Sequence, residues 1–258
     1  MPVRDSQGYA PMDIFIIAGQ SNASGRGSLA NVPSYPNRDR VRMWMQNGSG
    51  FAPASEPVDT DLGGAQFQIL GDPSAAAGFG LAFGNKYAEL RPASIVGLVV
   101  CAAGNTAIAA WARNLSTSTL YGAMIARAKA ALSFAAAGSR IAGIIWYQGE
   151  SDCTSTALKN AWPAAFAQLV ADIRSDLNLQ NLPVIMTVLG PAPSPGASYP
   201  AWSAFVAQQS AMQLPENIYR VTANDLTKQS SDNVHLITEA YVVLGERYAA
   251  QMNNFVLP

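Results

Sequence analysis

The chain has 258 residues, of which 49% are hydrophobic and only 13% are Asp, Glu, Lys or Arg. This balance predicts a compact protein with a substantial core and excludes extensive disorder. The 16 Lys and Arg residues nearly cancel the 17 Asp and Glu residues, which leaves a formal net charge of −1. A surface without excess positive charge argues against nucleic acid or an anionic membrane as a partner.

Neither the start of the chain nor its cysteines indicate export. The first residues, MPVRDSQGYAPMD, lack the apolar segment of a secretory signal. No apolar run reaches the roughly 18 residues that a membrane span needs. We therefore expect a cytoplasmic protein, a component of a larger exported or virion assembly, or a secreted protein whose signal has been removed. Cys101 and Cys153 are too few for a disulfide framework, so we predict two buried free thiols.

Five apolar runs bounded by turn residues predict strands at residues 14–18, 41–45, 95–101, 141–147 and 184–189. Most of these runs are continuously apolar, which is typical of parallel strands covered by helices on both faces. Between and after them, helices are predicted at residues 79–90, 120–137, 157–177, 201–212 and 238–252. The alternation predicts a single α/β domain over residues 1–258, a three-layer α/β/α sandwich with a mainly parallel sheet of about five strands.

Two further features refine this prediction. The irregular stretch 47–78 is rich in Gly, Pro, Ala and Asp, and we expect it on the surface near the carboxyl ends of the strands, where ligands bind in such sheets. In the last helix, an apolar stripe recurs at three- and four-residue spacing, with Thr238 as the predicted N-cap and Glu239 in the first turn. The stripe consists of Tyr241, Leu244, Tyr248 and Met252.

The first strand runs directly into Gly-Gln-Ser-Asn, which places Ser21 at the carboxyl edge of the sheet. Ser21 is either a nucleophile or the capping residue of an ordinary turn, and Gly19 permits a tight backbone path before it. A phosphate-binding loop is disfavoured because neither a P-loop nor a G-x-G-x-x-G fingerprint is present.

His235 is the only histidine of the chain. A lone histidine is more often structural, but Asp232, three residues earlier, is close enough to orient the imidazole as the base of a nucleophile requires. One histidine cannot build a His-rich zinc site, and no acidic cluster with a cation-loop signature is present. We therefore expect neither a metal nor a cofactor.

Two more strands end in polar turns at the same edge. The stretch VVCAAGNTAIAAW leaves its strand through Gly104 and Asn105, and IIWYQGESD leaves through Gln148. A backbone N–H at Gly104 or Asn105, together with the Gln148 side-chain amide, would suit the oxyanion that develops in acyl transfer. Each signal alone is also compatible with a simple turn.

The stretches IIAGQSNASGRG, CAAGNTAIAAW, WYQGESD and DNVHL resemble the four signature blocks of SGNH-type hydrolases. Among these enzymes they are most similar to the branch that contains sialate O-acetylesterases and plant-type carbohydrate acetylesterases. The resemblance implies a flavodoxin-like fold, with Ser21 as nucleophile, His235 as general base and acid, and Asp232 as its orienting partner. It also implies oxyanion donors at Ser21 N–H, near Gly104 and at Gln148, although Asn105 stands where the family usually has a second glycine.

The remaining candidates of these blocks are expected to support the site or to contact substrate: Gln20, Asn22, Arg26, Glu150 and Asp152. For Glu150 and Asp152 we favour a structural role. Arg26 either faces solvent or meets a substrate carboxylate, such as that of a sialic acid. We predict a serine esterase that removes O-acetyl groups from a carbohydrate. The alternatives are a lipase or thioesterase of the same fold, or a carbohydrate-binding module that lacks catalysis.

Overall fold

A computed structural model describes residues 10–59, 68–193 and 198–255. Within these ranges one sheet contains seven strands, in the spatial order β3-β2-β4-β1-β5-β6-β7. All neighbouring strands pair in parallel except β2 and β3. The strands are β1 (Met12–Gly19), β2 (Val41–Trp44), β3 (Phe51–Pro53), β4 (Ile95–Ala102), β5 (Arg140–Tyr147), β6 (Val184–Val188) and β7 (Ile218–Thr222).

The predicted α/β class is confirmed, and the sheet is larger than predicted because both of its edges carry an additional strand. β3 is only three residues long and ends in Pro53, so its sequence lacks a recognisable period. β7 contains Arg220 and buries only some of its residues, as suits an edge strand. Short, partly polar edge strands give much weaker apolar signals than the central strands do.

The described ranges contain six α-helices: α1 (Ser21–Ser24), α2 (Gly80–Leu90), α3 (Leu120–Phe134), α4 (Thr156–Leu177), α5 (Trp202–Ala211) and α6 (Thr238–Asn253). The five longer ones match the predicted helices within a few residues. The whole predicted stripe of α6 is buried. The N-cap prediction is wrong, because Ile237 occupies that position and the Thr238 hydroxyl instead donates to the carbonyl of Ser28 at 2.8 Å.

Helices cover both faces of the sheet. Phe15 of β1 contacts Phe83 of α2 edge-on, with ring centroids 4.9 Å apart. Trp146 of β5 pairs in register with Ala18, three residues after Phe15, and therefore points to the opposite face. There it packs against Phe166 of α4. The arrangement is the predicted three-layer sandwich, with β1 near the middle of the sheet.

Other predictions concern the segments outside the regular elements. Cys101 and Cys153 are both free and buried, as expected. Of the stretch 47–78, residues 60–67 lie outside the described residues, and the remainder includes β3 and brings Asp72 into contact with Arg26. Among the helices that the structure describes, none combines the length and apolarity that crossing a membrane requires.

Candidate active site

Ser21 follows β1 after a single intervening residue and begins the short helix α1. The close approach of two chains positions it: at Gly19 the backbone has φ +134°, and a Cβ atom there would lie 2.0 Å from the carbonyl oxygen of Tyr147. Only glycine allows β1 to leave the sheet so close to β5. The strand therefore delivers Ser21 to the carboxyl edge of the sheet, as the sequence predicted.

The structure brings Ser21, His235 and Asp232 together across 214 residues. His235 Nε2 lies 2.8 Å from Ser21 Oγ, and His235 Nδ1 lies 2.6 Å from Asp232 Oδ2. Because a carboxylate only accepts, the proton of the neutral ring is on Nδ1 and Nε2 is free to accept from the serine hydroxyl. This hydrogen-bonded series has the geometry that activates a serine nucleophile.

Asp232 is held in its charged form by its own loop. Partial burial raises the pKa of its carboxyl, but the backbone N–H groups of His235 and Val234 and the His235 ring outweigh that effect and keep the pKa below its usual value. Its Oδ1 accepts these two N–H groups at 3.0 and 2.8 Å. Asn233, with φ 57°, provides the left-handed turn that makes this possible. The carboxylate is thus available to stabilise an imidazolium.

A pocket of about 280 Å³ opens over Ser21. Gly104 and Asn105 form part of its lining, and Asn105 adopts the left-handed conformation with φ 57°. Within the described part of the chain, the N–H groups of Ser21, Gly104 and Asn105 donate to no protein acceptor. The remaining polar groups of the lining include Gln20, Arg26, Tyr199 and His235.

The structure corrects the prediction for Gln148. Its side chain is fully buried, and Nε2 donates to Asp152 Oδ2 at 2.5 Å and to the carbonyl of Thr106 at 3.0 Å. Its Oε1 accepts from Trp162 Nε1 at 2.8 Å. Both amide protons are used inside the protein, so Gln148 has none left for an oxyanion. The position of the block predicted a donor, but only the packing decides which way the amide faces.

Gln20 presents the amide that faces the pocket instead. Its Oε1 accepts from the backbone N–H of Ser151 at 3.3 Å and approaches Gln148 Nε2 at 3.4 Å. Its Nε2 has no acceptor among the residues that the structure describes, and the side chain lines the pocket beside Ser21. Sequence reasoning named Gln20 only as a supporting candidate, although its place directly before Ser21 was the available signal.

Arg26 lines the pocket but does not face open solvent. Its guanidinium forms an ion pair with Asp72, and Nη1 donates to Ser24 Oγ and to the carbonyl of Gly25, each at 2.7 Å. The side chain is 15% exposed. Burial raises the pKa of Asp72, but Arg26 outweighs that effect and lowers it overall. The solvent-facing alternative is therefore wrong, and Arg26 borders the pocket with its charge already matched.

Asn22, Glu150 and Asp152 lie beneath the pocket and are buried. Burial raises the pKa of Glu150, against the opposing effect of a hydrogen bond from Asn22. It likewise raises the pKa of Asp152, against the opposing hydrogen bond from Gln148. These two acids contact amides rather than the pocket, which agrees with the supporting role that was favoured for them.

A second cavity of about 590 Å³ adjoins the pocket, and Gly104 lines both. Its lining is largely apolar and includes Ile69, Ala103 and Leu120, with the hydroxyl-bearing residues Ser118 and Thr119 among them. Over the described ranges, no group of three His, Cys, Asp or Glu side chains is arranged to hold a metal ion.

Comparisons with known proteins identify the family of the chain. Residues 11–254 match the family model described as carbohydrate esterase, sialic acid-specific acetylesterase. A protein of Arabidopsis thaliana named as a probable carbohydrate esterase is 33% identical over 264 residues, which cover 95% of this chain and 92% of that protein. The crystal structure of this same Arabidopsis thaliana protein aligns with a TM-score of 0.80 at 28% identity, covering 96% of this chain and 100% of that one.

At lower identity the structural similarity concerns the fold alone. NanS aligns with a TM-score of 0.65 at 16% identity over 99% of both chains. A carbohydrate acetylesterase from Xanthomonas citri aligns with a TM-score of 0.60 at 17% identity, covering 95% of this chain and 56% of that one. The family match and the relative that is 33% identical confirm the family that the four sequence blocks indicated. The chain belongs to the sialic acid-specific acetylesterase family and is a carbohydrate esterase.

Proposed function

We propose that the chain is a serine esterase that removes O-acetyl groups from a carbohydrate through an acetyl-enzyme on Ser21. The observation that carries this proposal is the uninterrupted series of hydrogen bonds from Ser21 Oγ through the His235 ring to Asp232. The carbohydrate esterase family to which the chain belongs supports the class of substrate.

In the first half of the reaction, Ser21 Oγ attacks the carbonyl carbon of the acetyl ester while His235 Nε2 takes the hydroxyl proton. The carbonyl electrons move onto the oxygen, which forms a tetrahedral oxyanion. When that oxyanion collapses, the bond to the sugar oxygen breaks and His235 returns the proton to the leaving alcohol. Asp232 stabilises the imidazolium throughout but keeps its own negative charge.

In the second half, water replaces the sugar. His235 Nε2 takes a proton from the water as the water oxygen attacks the acetyl carbon. Collapse of this second tetrahedral oxyanion breaks the bond to Ser21 Oγ, which recovers its proton from His235 and releases acetate. No cofactor enters either half of this sequence.

Three kinds of donor would hold the oxyanion: the N–H of Ser21, the N–H groups at Gly104 and Asn105, and the Gln20 side-chain amide. None of these groups has a protein acceptor within the described residues, and all of them border the pocket. A donor that is already oriented costs no rearrangement when charge develops, and one such donor contributes about 10²–10³ in rate.

The small volume of the pocket favours a short acyl group on the substrate, and the Arg26–Asp72 ion pair favours an uncharged sugar. Arg26 is the one Arg or Lys among the described residues that line the pocket, and Asp72 already balances its charge. We therefore expect faster acetate release from acetylated neutral sugars, such as xylan fragments, than from acetylated sialic acids. A screen of both, with acetylated bacterial surface glycans as a third set, tests this expectation.

A second candidate function is the hydrolysis of longer-chain esters. The observation that favours it is the largely apolar cavity of about 590 Å³ across Gly104, which has room for an extended acyl chain. In the main proposal the same cavity receives part of the sugar. A comparison of p-nitrophenyl acetate with longer p-nitrophenyl esters separates the two functions, because a preference for long acyl chains would favour a lipase-like activity.

The decisive test is Ser21→Ala, assayed by acetate release. We expect activity to fall by at least about 10⁴-fold, because the nucleophile is lost while binding remains. Ser139→Ala is a suitable control, since Ser139 caps the opposite end of the sheet by accepting the N–H of Met12 at 3.0 Å. Sugar binding without turnover by the unmodified protein would instead indicate a carbohydrate-binding module.

A further inference from the structure

The Asn22 side chain joins three distant parts of the chain beneath the pocket. Its Nδ2 donates to Glu150 Oε1 at 2.7 Å and to the carbonyl of Val234 at 3.3 Å. Its Oδ1 accepts from the backbone N–H of Leu236 at 3.3 Å and from the Tyr241 hydroxyl at 2.6 Å. The side chain is 0% exposed, so protein groups provide all of its partners.

These four contacts define the orientation of the amide. An asparagine side chain has two N–H donors and two acceptor sites on its oxygen, and here all four are used. A rotation by 180° would turn the NH₂ group toward the N–H of Leu236 and the oxygen toward two acceptors, so at least three of the four contacts would be lost. An amide with one possible orientation is suited to act as a rigid spacer.

Two of the four contacts are to the residues on either side of His235. Val234 and Leu236 contribute a carbonyl and an N–H to the same side chain, so Asn22 holds the His235 backbone at both ends. Asn22 is also the next residue after Ser21. One buried side chain therefore connects the backbone of the nucleophile to the backbone of the base.

The loop that carries His235 needs such an anchor. Between the end of β7 and the start of α6 its regular pairing is limited to one antiparallel bridge between Lys228 and Leu236, and Asp232 is 38% and His235 22% exposed at their side chains. Asp232 orients the ring, but it belongs to the same loop and moves with it. Only a contact from another element can set the distance from the loop to Ser21.

We propose that Asn22 is a positioning residue that sets the distance between His235 Nε2 and Ser21 Oγ, with Glu150 and Tyr241 fixing the orientation of its amide. Glu150 is fully buried three residues after the end of β5, and Tyr241 projects from α6. Hydrogen bonds through Asn22 thus attach the His235 loop to α6 and to the turn that follows β5. This inference rests on the proposed role of Ser21 and His235, and it adds residues that contact neither substrate nor reacting atoms.

The direct test is Asn22→Ala, with p-nitrophenyl acetate as substrate. Because a small displacement of a reacting group is enough to slow chemistry strongly, we expect kcat to fall by about 100-fold. KM should stay within about twofold, since the pocket lining is unchanged. Loss of a fully bonded buried side chain also threatens folding, so a milder variant is needed.

Tyr241→Phe is that milder variant, and Tyr248→Phe is its matched control. Both tyrosines are fully buried on α6, and each hydroxyl makes a side-chain hydrogen bond, Tyr241 to Asn22 and Tyr248 to Thr187. Both changes should lower Tm by a similar few degrees. Only Tyr241→Phe should also lower kcat, by about fivefold at nearly constant KM.

The outcomes are separable. Equal kcat values for Tyr241→Phe and Tyr248→Phe, both at the level of the unmodified protein, would overturn the positioning role and leave Asn22 a purely structural residue. Failure of the proposed function would look different, because the unmodified protein would then release no acetate, or Ser21→Ala would retain full activity. A selective loss of kcat in Tyr241→Phe, with Ser21→Ala inactive, supports both proposals.

Discussion

Two neighbouring regions at the carboxyl edge of the sheet use acidic side chains in opposite ways. In the His235 loop, residues 229–236, Asp232 is partly exposed and its pKa lies below the ordinary value. At the β5 end, residues 148–152, Glu150 and Asp152 are fully buried, and burial raises the pKa of both. The opposite pKa shifts therefore come from the surroundings of the carboxyl groups and not from the residue type.

The partners of these acids follow the same division. Asp232 meets an imidazole that becomes charged in the proposed reaction, so a full negative charge on it is useful there. Glu150 and Asp152 meet the neutral amides of Asn22 and Gln148, for which an acceptor atom is sufficient. Environments that separate the pKa values of nearby acids also separate their roles. Four predictions follow this contrast, from the largest expected effect to the smallest.

Asp232→Asn should have the largest effect. The amide can present an N–H to His235 and thereby favour the wrong tautomer, so we expect kcat for acetate release to fall by about 10³–10⁴-fold. Asp152→Asn is the matched change at the β5 end, and there kcat should stay within about fivefold because Asn can still accept from Gln148. If steady-state kinetics showed equal losses of kcat for the two variants, the proposed difference between the roles of Asp232 and Asp152 would be wrong.

Gln20→Leu and Gln148→Leu compare the two amides of the site. Gln20→Leu should lower kcat by about 10²-fold with little change in Tm, because it removes one of the proposed oxyanion donors. Gln148→Leu leaves the carbonyl of Thr106 and the indole N–H of Trp162 without their partner, and we expect it to cost about 1–3 kcal/mol of stability. Thermal melts and kcat values measured on the same samples check both expectations. A larger loss of kcat for Gln148→Leu than for Gln20→Leu would indicate that Gln148, and not Gln20, is the oxyanion donor.

Glu150 should make stability depend on pH in the direction opposite to Asp232. Since burial raises its folded-state pKa, Glu150 contributes stability below its unfolded value of 4.5, and that contribution is lost as pH rises through the folded value. For Asp232, whose folded pKa is lowered, the contribution is present above 3.8 and is lost as pH falls. Urea unfolding of Glu150→Gln at several pH values should show a weaker decline toward high pH than the unmodified protein shows. An identical decline would contradict this prediction.

Asn105→Gly should have the smallest effect. Glycine adopts the left-handed backbone at φ 57° without strain and retains the N–H, so we expect kcat within about threefold of the unmodified protein. Asn105→Val retains the same N–H but disfavours that conformation, and its kcat should be clearly lower. If Asn105→Gly lost activity instead, the side-chain amide and not the backbone would be the functional group at this position.

Much of the fold was predictable because it depends on local patterns. Apolar runs, most of them continuous, identified the five inner strands, and the stripe on α6 identified its buried face. β3 and β7 escaped prediction because edge strands need less apolar sequence. Thr238 was assigned as a cap for its residue type, but its hydroxyl found a partner in Ser28, far away in the chain.

The sequence by itself determined the order of the four blocks and the family. It also indicated Asp232 and His235 as the orienting acid and the base of the site, because a single histidine with an aspartate three residues earlier leaves few alternatives. Only the tertiary structure decided which amide faces the pocket. Gln20 and Gln148 are equally polar at neighbouring strand ends, yet Asp152 and Thr106 accept both amide protons of Gln148, and Trp162 donates to its amide oxygen. Whether a buried amide is fully hydrogen-bonded depends on contacts between residues that are distant in the chain, and local sequence patterns do not reveal these contacts.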